Sequence, residues 1–154
     1  MKREGILKQL ALLFIVVVGL YALIFAGLQH WRVRKGPWAV TFSGQADGER
    51  WIEVNQARLG IDRVRLRFPN TSEKGPLPET TIRFDTPDHA PLPFGQLKFI
   101  DGTFLPGTVT FDLFGHEVEM LPRVLILDKQ EHPWHSGETI DFASQAVVPK
   151  PLTQ

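Results

Sequence analysis

The feature that most limits how this chain can fold is an apolar run near its start. Residues 9–28 read QLALLFIVVVGLYALIFAGL, twenty positions without a charge. As a helix rising about 1.5 Å per residue, the run is roughly 30 Å long, which matches the hydrocarbon core of a bilayer. A buried helix of a soluble protein would carry a polar stripe, and this run has none. With basic residues at both ends and Tyr21 and Trp31 as interfacial aromatics, it predicts a transmembrane helix over 9–29.

A cleaved signal peptide is the main alternative, because residues 1–8 form a basic stretch before the apolar run. The run is longer than the usual signal-peptide core of roughly 7–15 residues, and no A-x-A-like cleavage site follows it. We therefore expect an uncleaved signal anchor that attaches the protein to the lipid bilayer.

The charges that flank the predicted span do not decide its orientation. Three basic residues precede the span and three follow it: Lys2, Arg3, Lys8, Arg32, Arg34 and Lys35. A short basic tail, one anchor and a large C-terminal domain are typical of a protein with a cytoplasmic N-terminus. We thus expect 1–8 to be a cytoplasmic tail and 30–35 a basic juxtamembrane linker. The remaining domain would lie outside the cytoplasm, close to the bilayer surface.

The chain beyond the anchor is acidic. Residues 36–154 contain 11 Lys and Arg against 16 Asp and Glu, a net charge of −5, although the whole chain is neutral. An acidic domain lacks the basic surface that binds a phosphate backbone, so we expect no nucleic-acid partner. The chain has no cysteine, which excludes a disulfide framework.

Residues 36–148 have the pattern of an all-β domain. Short runs rich in β-branched and aromatic residues, such as PWAVTF (37–42) and IDRVRLRF (61–68), are separated by Gly, Pro and Asp. We predict about seven to nine short strands that form a β-sandwich or a small open barrel. Prolines make most of 69–93 a loop or a sheet edge, and 149–154 is expected to be a flexible tail.

The polar stretch DKQEHPWHSGE, residues 128–138, contains the first candidate site, because His132 and His135 lie beside carboxylates. Zinc and copper bind neutral imidazole, and a third histidine could come from His116 or from His89. Two histidines split by proline do not have the helical spacing that places both rings on one face. The simpler interpretation is a polar loop without a metal cofactor, in which Trp134 packs inward.

Arg63, Arg65 and Arg67 alternate with apolar residues and form the second candidate site. Three guanidinium groups on one strand face could bind phosphates, anionic lipid or an acidic partner. The alternative is a charge ladder with the preceding strand, which we favour. It would place Glu53 opposite Arg63, Trp51 opposite Arg65 and Glu49 opposite Arg67. The three arginines, Trp51 and Trp134 remain a possible interaction surface.

Trp38, Trp51 and Trp134 could stack on sugar rings, although packing in a core explains scattered tryptophans equally well. A hydrolase could use Glu117 and Glu119, which lie two residues apart on one strand face. The simpler explanation is that both belong to the solvent-exposed face of a hairpin. The sequence has no nucleophile elbow, no H-E-x-x-H and no phosphate loop. We expect a protein without enzymatic activity.

These patterns predict a single-pass membrane protein whose β-domain is a non-catalytic binding or assembly module of the cell envelope or of a membrane complex. A protein partner would bind at an exposed sheet edge or along 69–93. Two alternatives stay open: a ligand- or metal-binding module that uses His132 and His135, and a glycan-binding module.

Overall fold

The computed structural model describes residues 3–86 and 91–142. The chain divides into two compact units, Met1–Arg34 and Lys35–Gln154. Within the described residues the first unit is helical and the second is built almost entirely of strands. The predicted tail, 149–154, lies outside the described residues.

Helix α1 spans Arg3–Val33, so it extends beyond the predicted span at both ends and takes up most of the predicted linker. Its apolar side chains are exposed around the whole circumference, from 48% at Val18 to 73% at Leu23. Within the described residues α1 is the one helix that is long and apolar enough to cross a membrane. The predicted apolar helix at the N-terminus is therefore confirmed.

Ten strands form two five-stranded sheets in the described part of the β-unit. The first sheet contains β1 (Trp38–Gly44), β2 (Arg50–Gln56), β3 (Ile61–Phe68), β4 (Leu77–Phe84) and β10 (Thr139–Asp141). The second contains β5 (Gln96–Asp101), β6 (Thr108–Leu113), β7 (His116–Met120), β8 (Val124–Leu127) and β9 (Gln130–Pro133). The predicted all-β, sandwich-like architecture is confirmed, but the prediction of seven to nine strands is too low.

The strand order of the first sheet is β10–β3–β2–β1–β4, and only the β10–β3 pair is parallel. The second sheet is an antiparallel meander in chain order, from β5 to β9. β9 is the strand that the sequence analysis missed, because polar residues and Pro133 argue against a strand.

The inward side chains of both sheets form one core. Phe111 of the second sheet makes edge-to-face contacts with Phe42 and Phe84 of the first, at centroid distances of 6.2 and 5.3 Å. Trp38 is fully buried and packs on Trp134 at 5.3 Å. Alternation of apolar and polar residues explains this sorting, since successive side chains of a strand point to opposite faces.

β2 and β3 pair as predicted and form a charge ladder, but the predicted register differs from the observed one by two residues. Glu53 lies opposite Arg65, and Trp51 lies opposite Arg67. The predicted partner of Glu53 was Arg63. A shift by two residues leaves the side chains from Val64 to Phe68 on their predicted face, whereas Ile61, before the bulge, is buried although strict alternation would place it with the arginines.

The turn between the two strands explains the error. Ala57–Leu59 form a 3₁₀ turn, and Gly60 ends it in the left-handed conformation with φ of 71°. β3 then has one extra residue relative to β2, a bulge at which Arg63 has φ of 50°. The Arg63 amide donates to Oδ1 of Asn55 at 2.7 Å in place of a ladder bond. A turn and a bulge of this kind leave no clear sequence signal.

The stretch 128–138 is a hairpin followed by a crossover rather than an open loop. Asp128 and Lys129, both with positive φ, make the turn from β8 to β9. Trp134 packs inward as expected, and its Nε1 donates to the Leu121 carbonyl at 2.8 Å. This stretch thus joins the two sheets.

Hydrogen bonds connect the end of this stretch to β3. Oγ of Ser136 donates to the Gly60 carbonyl at 2.7 Å and accepts from the Asp62 amide at 3.0 Å. The Arg65 amide donates to the Glu138 carbonyl at 2.8 Å, and β10 then continues the pairing.

The start of the β-unit is fixed by a buried glutamine. Gln56 is 4% exposed, and its Nε2 donates to the carbonyls of Gly36 and Pro37, both at 2.9 Å. Nε1 of Trp38 donates to the Gly107 carbonyl at 3.0 Å. The residues just before β1 are therefore bound to β2, and β1 is bound to the loop before β6.

Candidate functional site

The structure does not bring the candidate metal ligands His116, His132 and His135 together, and His89 lies outside the described residues. His132 lies opposite Leu125, which lies opposite Met120, four residues along β7 from His116. Four residues of strand span about 13 Å, so His116 and His132 lie too far apart to share one ion. His135 follows β9 and is exposed. Within the described residues no three His, Asp or Glu side chains are grouped so that they could hold a metal.

His116 instead pairs with a carboxylate. Its Nδ1 lies 2.7 Å from Oδ2 of Asp128, whose other oxygen accepts from the Glu117 amide at 2.9 Å. The imidazole packs against the stacked pair of Phe142 and Phe68, at centroid distances of 4.5 and 6.1 Å. The pair joins the start of β7 to the residue after β8, at the open end of this hairpin.

A pocket of about 280 Å³ opens beside His116. A histidine–aspartate pair next to a pocket is the arrangement that activates a hydroxyl nucleophile. The hydroxyl in this pocket belongs to Thr71, and it donates to the Gly48 carbonyl at 2.7 Å. The Thr71 hydroxyl therefore directs its proton to the backbone of the β1–β2 turn.

The arginines of β3 are paired on the outer face of the first sheet. Nη2 of Arg65 lies 3.0 Å from Glu53, and Nε of Arg67 lies 2.7 Å from Glu49. The hydrogen bond that Arg67 donates to Glu49 raises the pKa of the Arg67 guanidinium above its ordinary value.

Arg63 differs from the other two arginines. Its side chain is 72% exposed and contacts only the neighbouring Asp62, at 3.2 Å. We define the charge ladder as Glu49, Glu53, Arg65, Arg67 and Asp141, the last at 3.7 Å from Arg67. In this ladder the two guanidinium groups are each paired with at least one carboxylate.

Of the three tryptophans considered for sugar binding, only Trp51 lies on an outer face. Trp38 is fully buried, and Trp134 is packed on it. Trp51 is half-buried beside the ladder, with the Arg65 guanidinium 5.8 Å from its ring centroid. Around it lies a groove of about 310 Å³. The groove is lined by Gln45, Glu49, Trp51, Arg65, Arg67 and Thr139.

A feature that the sequence analysis missed lies on the β5–β6 hairpin. Phe99 is 55% exposed and Phe104 is 57% exposed, and within the described β-unit these are the two large apolar side chains that are exposed. Phe99 lies on β5, an edge strand, and Phe104 lies in the loop that follows it. Exposed aromatic side chains grouped on one hairpin are typical of a contact surface.

A β-bulge turns Phe99 outward. Leu97 lies opposite the buried Phe111, whereas Phe99 lies opposite Thr110, which is on the outer face. Regular alternation would place Leu97 and Phe99 on the same face, so Phe99 would be expected in the core. The extra residue, Lys98, reverses the face, and bulges of this kind redirect side chains near functional sites.

The outer face around Phe99 is acidic. Nζ of Lys98 lies 3.3 Å from Asp112 and 3.4 Å from Glu117, and the hydrogen bond to Asp112 raises the pKa of Lys98. Glu119 and Glu131 lie on the same transverse row of the sheet as Phe99. This outer face therefore carries the carboxylates of Asp112, Glu117, Glu119 and, on the far edge strand β9, Glu131, together with the ammonium group of Lys98.

Comparisons of the chain with protein-family models, with curated proteins and with solved structures each gave no match. The function proposed below therefore rests on the described residues and their contacts.

Proposed function

We propose that this protein is a membrane-anchored, non-catalytic docking module, and that its β5–β6 hairpin binds a protein partner in a membrane or envelope complex. The observation that supports the proposal is the bulge at Lys98, which places Phe99 in solvent on the hairpin that also exposes Phe104. An exposed phenylalanine forgoes about 1.5–3 kcal/mol of burial, and a partner recovers that free energy. Aromatic side chains are common energetic centres of protein interfaces.

The apolar and acidic side chains of this surface indicate what the binding site of the partner must contain. Two apolar anchors need a pocket of apolar residues, and the carboxylate of Glu119, two strands from Phe99 on the same row, needs a basic group at its rim. The partner is thus a protein with an apolar pocket flanked by Lys or Arg.

The proposed location follows from α1. The helix has the length and composition of a membrane span, and we place its N-terminus in the cytoplasm and the β-unit outside it. In that arrangement the helix anchors the docking module at the membrane surface, where partners are membrane proteins or envelope proteins.

Site-specific crosslinking in intact membranes tests the proposal. Benzoylphenylalanine at position 99 or 104 of the full-length chain is expected to yield one defined protein adduct, identified by mass spectrometry. The same probe at Thr80, which is exposed on β4, an edge strand of the first sheet, serves as the matched control and should not yield that adduct.

A double variant that replaces both phenylalanines by charged residues completes the test. Phe99→Asp combined with Phe104→Asp should abolish co-purification of the crosslinked protein from membranes, whereas Thr80→Asp should leave it unchanged. Adducts with lipid alone, or identical adducts from positions 80 and 99, would contradict protein docking at this hairpin.

A further inference from the structure

We propose that the groove around Trp51 is a binding site for a neutral saccharide. This inference is independent of the docking function, because the groove lies on the outer face of the first sheet and the phenylalanines lie on the second. It assigns a ligand class to a surface whose residues come from β2, β3, β10 and the turn before β2.

The groove combines one aromatic platform with several planar hydrogen-bonding groups. The C–H face of a pyranose ring is apolar and packs against an aromatic ring, and Trp51 supplies that ring. Sugar hydroxyls donate to carboxylates and accept from guanidinium groups, which are the strongest partners that uncharged ligands can find. Glu49, Arg65 and Arg67 supply these groups, and the Gln45 amide lies beside them.

The polar groups of the groove are already held in place. Arg67 is bonded to Glu49 at 2.7 Å, and Arg65 is bonded to Glu53 at 3.0 Å while it also lies over Trp51. Five N–H groups are available on each guanidinium, so these contacts leave donors for a ligand. Side chains that are fixed before binding lose little entropy when the ligand arrives.

The charge balance selects a neutral ligand over an anion. The groove is lined by two guanidinium groups, and each is already paired with a carboxylate: Arg65 with Glu53, and Arg67 with Glu49 and, at 3.7 Å, with Asp141. Residues 36–154 as a whole carry a net charge of −5. A phosphate or a uronate would have to compete with these carboxylates for the guanidinium groups and would be repelled by the acidic domain, whereas an uncharged polyol would not.

The test uses the full-length chain in nanodiscs of phosphatidylcholine, because glycoside detergents would fill a sugar site. Cellohexaose, maltohexaose and N-acetylchitohexaose are titrated calorimetrically, with trigalacturonate as the anionic comparison. At least one neutral hexasaccharide is expected to bind in the micromolar to millimolar range. Trp51→Leu should weaken that binding by about tenfold or more, which is the loss expected for one aromatic contact.

Two arginine variants provide the matched controls. Arg67→Lys keeps the charge but loses the planar fork, so it should weaken binding severalfold while the protein stays folded, as judged by its unperturbed melting temperature. Arg63→Ala, on the same strand but outside the groove, should bind like the wild type. Three results would overturn the inference: no neutral saccharide binds at about 10 mM, Trp51→Leu binds like the wild type, or only trigalacturonate binds.

Discussion

Arg50 is the charged side chain that the described fold buries most deeply, at 5% exposed. Its Nη1 donates to the carbonyls of Gln45 and Gly75, at 3.2 and 2.8 Å. Gly44 allows this arrangement, since a Cβ at that position would collide with the guanidinium. A single arginine thereby ties the β1–β2 turn to the loop before β4.

Replacing Arg50 with methionine should lower the free energy of unfolding by about 2–3 kcal/mol, because two buried carbonyls lose charged donors while the apolar stem is kept. Chemical denaturation of the full-length chain in nanodiscs, followed by tryptophan fluorescence, measures the loss. Arg83→Met, at an exposed position of β4, is the control and should change stability by no more than about 0.5 kcal/mol. Equal effects of the two substitutions would contradict the buried role of Arg50.

Asp101 gives the molecule a pH-dependent contact. The Thr103 amide donates to its Oδ1 at 2.9 Å, and this hydrogen bond lowers the pKa of the carboxyl below its ordinary value. A lowered pKa in the folded state means that the contribution is complete above the carboxyl's ordinary pKa near about 3.9 and is lost as the pH falls through the lowered value. The stability advantage of the wild type over Asp101→Asn should therefore shrink between neutral pH and about pH 3. Parallel stability curves for the two proteins, from urea titrations at both pH values, would contradict this.

At the scale of the elements, the sequence predicted which side chains of a strand point inward better than it predicted which residues pair between strands. Alternation in IDRVRLRF correctly assigned Val64, Leu66 and Phe68 to the inward face of β3, because a period of two is a local property, but it missed Ile61, which lies before the bulge. The register with β2 depends on a 3₁₀ turn and a bulge, which are set by the hydrogen bonds of Gln56 and Asn55 rather than by a pattern. The pairing of β10 with β3 joins residues far apart in the chain, and three residues carry too little pattern to predict it.

A double-mutant cycle distinguishes the observed register from the predicted one. Replacing Glu53 and Arg65 by alanine, singly and together, should give a coupling energy of about 0.3–1 kcal/mol that decreases in high salt. The same cycle for Glu53 and Arg63 should give a coupling near zero, since these residues are not paired. Coupling to Arg63 instead of Arg65, measured from the unfolding free energies, would favour the register predicted from sequence.

At the scale of the whole molecule, composition predicted an apolar helix followed by an all-β unit, and the structure contains both. The candidate surfaces were predicted only in part. Trp51 and the arginines of the ladder were identified from their pattern, whereas Phe99 was not. Its exposure depends on one extra residue in β5, and the local sequence QLKFI favours a buried position.

The absence of cysteine from the chain allows a direct test of topology. Asp47→Cys, in the exposed β1–β2 turn, should react with a membrane-impermeant maleimide in spheroplasts of a bacterial host. Glu4→Cys, near the start of α1, should react only after the membrane is permeabilised. The reverse pattern would place the β-unit in the cytoplasm, and release of the protein by alkaline carbonate would contradict an uncleaved anchor.

The parallel pairing of β10 with β3 has a consequence for synthesis. Ser136, Glu138 and β10 close the edge of β3, yet they are among the last described residues to leave the ribosome. Until they arrive, β3 is an open edge strand, and such edges attract other strands. A prematurely terminated chain would keep this edge open permanently. We therefore expect products truncated before β10 to be recognised and degraded by quality-control proteases, so that the β10–β3 pair acts as a check on translation up to Asp141.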